Sequence, residues 1–163
     1  MNEPASSRGR TSFGPGSGPG YWLPVVGWMA LIFVLSTDTF SGGQTSRILA
    51  PLLRWLFPGL SEHASALGVF GVRKAAHVIV YAVLAWLWWR ALRRPVRHDP
   101  RPWQWRPAGL ALLFSASYAV SDEFHQSFTR ARTPSAWDVL LDTAGAAAGL
   151  LVLWRFGRWR RWW

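Results

Sequence analysis

Three short stretches of this chain place ionisable side chains at helical spacing. Lys74, His77 and Tyr81 lie three and four positions apart, so on a helix they share one face. Asp122 and Gln126 are four apart, with Glu123 beside Asp122. Asp138 and Asp142 are again four apart, and Gly145 and Gly149 continue their stripe through Gly-Ala-Ala-Ala-Gly, which permits close helix contact. Four of the eight acidic residues and the chain's only lysine fall in this set. Such residues could do acid–base chemistry, with Asp122 or Glu123 as general acid or base, His77 as its partner and Lys74 as charge stabiliser. They could instead hold a polar headgroup, with Lys74 and Arg132 offsetting the carboxylates, or relay protons. The blander reading is that the same ion pairs fix helix register. His77 alone fits a packed, hydrogen-bonded histidine as well as a catalytic one. His125 and Glu123 could face headgroups or loop, and His63 and His98 read as solvated loop residues.

His77, His125, Asp122, Glu123, Asp138 and Asp142 could supply nitrogen and oxygen ligands to a metal. No pair has a recognised metal-binding spacing, and His-Glu-x-x-His is absent. No metal and no other cofactor is therefore expected. There is no nucleophile elbow, P-loop or dinucleotide fingerprint. With no cysteine, disulfides and thiolate sites are excluded.

The elements that must position these residues are apolar. Half of the 163 residues are hydrophobic and 16% are charged, against ~25% in ordinary soluble domains. A helix needs ~20 apolar residues to cross a bilayer core, with a lower limit near ~17. Four runs meet this: Tyr21 to Thr37, about Val72 to Leu92, Pro107 to about Phe128, and about Ser135 to Phe156. The expected fold is all-α, a four-helix transmembrane bundle. Between spans one and two, Ile48, Leu49, Leu52, Leu53 and Leu56 recur at helical spacing. That segment, Arg47 to Phe57, is too short to span. It reads as a short interfacial amphipathic helix, or equally as a helix packed on the bundle. Residues 1–20 read as a disordered Gly/Pro/Ser/Arg tail, 21–157 as the membrane domain, and 158–163 as a basic, aromatic C-terminal tail. A signal peptide is disfavoured, because the first apolar run ends without a small-x-small cleavage pattern.

The net charge of +10 and pI near 11.6 do not indicate nucleic acid. The arginines sit in clusters between apolar runs, and no nucleic-acid motif accompanies them. Arg8 and Arg10 precede the first span, Arg90, Arg93, Arg94, Arg97, Arg101 and Arg106 lie between spans two and three, and Arg155 to Arg161 close the chain. The positive-inside rule then puts both termini and the middle loop in the cytoplasm, anchored by Trp103, Trp105, Trp159, Trp162 and Trp163. Lys74, Asp122 and Asp138 are thereby brought to one outward rim, where a polar cavity would open.

The residues Lys74-x-x-His77-x-x-x-Tyr81, Ser121-Asp122-Glu123-Phe124-His125-Gln126-Ser127-Phe128, Arg132-x-x-Ser135-x-x-Asp138 and Asp142-x-x-Gly145-x-x-x-Gly149 resemble the VanZ-like family of small bacterial membrane proteins. The resemblance covers about Tyr21 to Leu153. It implies a multi-pass helical protein of the bacterial cytoplasmic membrane, within the cell envelope. The family's shared polar positions fall on Lys74, His77, Tyr81, Asp122, Glu123, Gln126, Arg132, Ser135 and Asp138. Its founding member is linked to low-level resistance to the glycopeptide teicoplanin. Two positions depart: Arg130-Ala131 stands where Pro-Gly is usual, and Asp142 where Asn is frequent. The extra acid makes the expected cavity more negative.

Three functions are consistent with this reading. The first is binding or shielding of a lipid or cell-wall component at the outer leaflet, with membrane lipids as partners. The second is an enzyme acting on a lipid-linked envelope substrate. The third is a proton-coupled carrier, against which stands the confinement of the cluster to one face.

Overall fold

The computed structural model describes residues 19–37, 42–95, 101–128 and 135–161. These form five α-helices and, among the described residues, no strand: α1 (Leu23–Leu35), α2 (Gly42–Leu56), α3 (Glu62–Arg93), α4 (Trp105–Gln126) and α5 (Ala136–Trp159), with a 3₁₀ turn at Pro19–Tyr21 before α1. The ends follow local chemistry. Ser61 adopts an extended backbone and its Oγ accepts the Ala64 N–H at 3.2 Å, capping α3. Arg90 and Arg93 occupy the last turn of α3, where the helix dipole favours cations, and Arg94 leaves it in the left-handed region at φ 47°. Pro107 sits in the first turn of α4, where its missing N–H leaves no intrahelical bond unmade.

By length and composition, α3 and α5 can cross a membrane. With 32 residues, α3 extends ~48 Å at ~1.5 Å per residue. It begins ten residues before the expected span, so His63, read from the sequence as a loop residue, lies exposed in its first turn. Helix α1 is apolar but has 13 residues. Helix α4 has 22 residues, yet its buried Asp122, Glu123, Gln126 and Ser115 dilute its apolar character. The amphipathic segment forms α2, which packs on the bundle. Leu53 packs against Gly68 of α3, while Ile48, Leu52 and Trp55 point outward. Helix α5 continues through Trp159, beyond the expected domain limit at residue 157. Asp38, His98, Arg130, Arg132, Trp162, Trp163 and residues 1–18 lie outside the described residues.

Helices α3, α4 and α5 pack on one another, and α1 and α2 pack on α3. The contact of α3 with α5 is the most extensive. It depends on Gly145 and Gly149. A Cβ at Gly145 would stand 2.7 Å from the Val78 carbonyl oxygen, and one at Gly149 would stand 2.7 Å from the Ala82 Cβ. Polarity is distributed unlike that of a water-soluble bundle. Asp122, Asp142, Glu123 and Gln126 are buried, while Val26, Phe33, Ile79, Leu113, Leu140 and Val152 face outward.

The two ends differ. Where α3 ends and α4 begins, Trp89 stacks on Trp103 at 5.4 Å between centroids, and Trp105 meets Trp154 at 5.6 Å. Arg93, buried there, donates to the carbonyls of Arg101 and Pro102 at 2.6 and 3.0 Å and lies over the Trp89 ring. The Tyr21 hydroxyl donates to the Pro95 carbonyl at 2.7 Å. The ionisable cluster lies at the opposite end.

Candidate functional site

The middle of α3 supplies Lys74, His77 and Tyr81 along one face, as the three-and-four spacing requires. Helix α5 faces it with Asp138 and Asp142. Lys74 Nζ pairs with Asp138, and one turn deeper His77 Nδ1 lies 3.2 Å from Asp142 Oδ1. The close α3–α5 packing at Gly145 and Gly149 continues this row, so the helices converge on the axis along which the pairs are stacked. Asp142 is 1% exposed. Its carboxylate holds the imidazole by Nδ1, leaving Nε2 as the edge open to a second partner.

Helix α4 brings a second group. Asp122, 4% exposed, accepts through Oδ2 from Gln126 Nε2 and from Ser36 Oγ at the end of α1, both at 2.9 Å. Glu123 Oε2 accepts the Ser135 backbone N–H at 2.8 Å, tying the end of α4 to the start of α5. Asp122, Glu123 and Asp142 all lie within electrostatic reach of the Tyr81 hydroxyl, so the two groups form one cluster. Tyr118 donates to the Met29 carbonyl at 2.6 Å, and Trp28 donates to the Val80 carbonyl at 3.0 Å, docking α1 against α4 and α3.

Four buried polar atoms of the cluster have no hydrogen-bond partner among the described residues: Tyr81 Oη, Asp122 Oδ1, Glu123 Oε1 and Asp142 Oδ2. Buried polar groups are normally satisfied, so each such atom requires a reason. Tyr81 and Asp122 also line a cavity of about 240 Å³ bounded by α1, α2, α3 and α4. Its walls are apolar at Ile32, Leu35, Ala76 and Val80, and polar at Ser36, Thr45, Arg73 and His77. His125, by contrast, stacks on Phe33 at 4.2 Å between centroids and is not among the cavity residues. Among the described residues, no group of three or more His, Cys, Asp or Glu is placed to hold a metal ion.

The VanZ/LLP1 family model matches residues 21–157, most of the chain and all of this cluster. The chain belongs to the VanZ/LLP1 family. No curated protein and no solved structure matches it. Membership and the two long apolar helices together mark a membrane protein. In this VanZ/LLP1 protein, Lys74, His77, Tyr81, Asp122, Glu123, Gln126, Ser135, Asp138 and Asp142 all come together at one end of the bundle. Arg132 lies outside the described residues.

Three residues of the VanZ/LLP1 cluster escaped the sequence reading: Arg73, Ser36 and Thr45. Arg73 stands next to Lys74, but about a quarter-turn away on the helix. It therefore lies on the cavity wall with Ala76 and Val80 rather than on the α5 contact. The i, i+3, i+7 spacing of those three residues was the available signal. Ser36 ends an apolar run and carried no periodic cue.

Proposed function

We propose that this VanZ/LLP1 protein crosses the bacterial cytoplasmic membrane four times, with both termini in the cytoplasm. In that arrangement it binds a lipid or cell-wall component in the cavity at its outer end. α1, with the turn before it, and α4 cross beside α3 and α5. The outward-facing apolar side chains and inward-facing carboxylates support a lipid surround. The arginine distribution supports the orientation. One observation carries the binding reading: a cavity with apolar walls at Ile32, Leu35, Ala76 and Val80, into whose lining the chain also places Arg73, His77, Tyr81 and Asp122. Shielding an envelope component in this way gives a route to reduced teicoplanin susceptibility.

The test is lipid retention. Native mass spectrometry of the purified full chain should show a co-purifying amphiphile. Ala76→Phe, which fills the cavity, should release it without changing elution in detergent. Equal retention by both proteins overturns the reading.

A second reading, an acid–base enzyme, is favoured by the Asp142–His77 pair. A buried carboxylate orients an imidazole that also borders the cavity, the arrangement of a positioned general base. Its signature would be turnover of the retained amphiphile that His77→Ala abolishes while retention persists. An unchanged amphiphile in a wild-type time course counts against it.

A further inference from the structure

We infer that the cavity ligand carries a phosphoryl group recognised by Arg73. This rests on the cavity being a ligand site, and it adds the chemistry of the ligand.

Arg73 is half-buried on the cavity wall and has no ion pair or hydrogen bond among the described residues. Its neighbour Lys74 is already paired with Asp138, so the two cations have separate roles. A guanidinium presents a planar fork of donors, matched in geometry to phosphate and carboxylate oxygens. Among the described residues, no carboxylate takes that position. The cavity's own acid, Asp122, is held by Ser36 and Gln126 through Oδ2.

Ile32, Leu35 and Val80 give the cavity apolar walls beside Arg73, which suits a phosphoryl group continued by carbon. α2 covers this site through Thr45 while exposing Ile48, Leu52 and Trp55. It thus sits between the headgroup and the lipid surface.

The experiment uses the full chain, delipidated in a nonionic maltoside detergent. Thermal stability is followed while short-chain phosphatidylglycerol, the matching diacylglycerol or glycerol phosphate is added. Phosphatidylglycerol should stabilise the wild type. Arg73→Gln should weaken its binding about ten- to hundredfold, the range of a lost charge-assisted hydrogen bond. The diacylglycerol should bind without dependence on Arg73. Glycerol phosphate binding with the same Arg73 dependence, as tightly as the lipid, would identify a soluble phosphate ester as the source. Much weaker binding identifies a lipid headgroup. If Arg73→Gln binds phosphatidylglycerol like the wild type while Ala76→Phe does not, anion recognition is overturned and the cavity reading stands. If neither variant changes binding, both are overturned.

Discussion

Tyr81 is 1% exposed and its hydroxyl is unpartnered among the described residues, an arrangement that costs about 1–3 kcal/mol. Tyr81→Phe removes that cost. Delipidated Tyr81→Phe protein should therefore melt no lower than wild type, with up to about 1 kcal/mol gained. The lipid-loaded variant should lose part of the stabilisation that ligand gives the wild type. A large loss in the delipidated state would reveal a protein partner for the hydroxyl and count against the site. Lys74 and Asp138 call for the opposite test. Both are less than a third exposed, and truncating either strands the other's charge. Each alanine variant should lose up to about 3 kcal/mol, and the double variant clearly less than the sum. Additive losses in chemical denaturation would show that the pair does not act as a unit. At this scale the sequence reading succeeded where a helical repeat or a family motif joined residues, as at Lys74, His77 and Tyr81. It passed over Arg73 because adjacency to Lys74 hid a different helical face.

Helix contacts set how closely these side chains can meet. The α3–α5 crossing leaves no room for a Cβ at Gly145 or Gly149, and the nearest atoms are backbone or short side chain, which cannot swing away. Gly145→Ala and Gly149→Ala should each destabilise by about 2–3 kcal/mol. They should also separate Lys74 from Asp138 and His77 from Asp142, so phospholipid binding should fall with stability. Wild-type melting in either variant would show that the helices do not approach as described. At the far end, Arg93 joins α3 to the segment before α4 through two carbonyls and the Trp89 ring. Arg93→Lys cannot reproduce that fork. It should lower thermal stability while leaving phosphatidylglycerol affinity unchanged, because the site lies at the other end; a changed affinity would contradict that separation. The small-residue stripe on α5 and the amphipathic pattern of α2 were legible in sequence. The extra ten residues of α3 were not, because the span was read from Val72 onward, whereas the cap at Ser61 starts the helix at Glu62.

For the molecule as a whole, the proposed topology predicts opposite accessibility of the two ends. The chain has no cysteine, so single replacements report cleanly. Ser61→Cys should react with a membrane-impermeant maleimide on intact spheroplasts, whereas Gln104→Cys and Arg160→Cys should react only after permeabilisation. Labelling of Gln104→Cys from outside would invert the protein and place the cavity in the cytoplasmic leaflet. Sequence by itself determined the helical class, the family and the set of ionisable residues at one end. Hydrophobic run length, period and arginine placement are local properties of a chain in lipid. Tertiary structure decided the pairing of Lys74 with Asp138 and His77 with Asp142, the docking of Ser36 on Asp122, and the cavity lined by Arg73, Tyr81 and Asp122. Those depend on how helices far apart in sequence cross, and on the gap left where α1 and α2 meet α3. A void is a property of surfaces brought together, and no single helix carries it in its sequence.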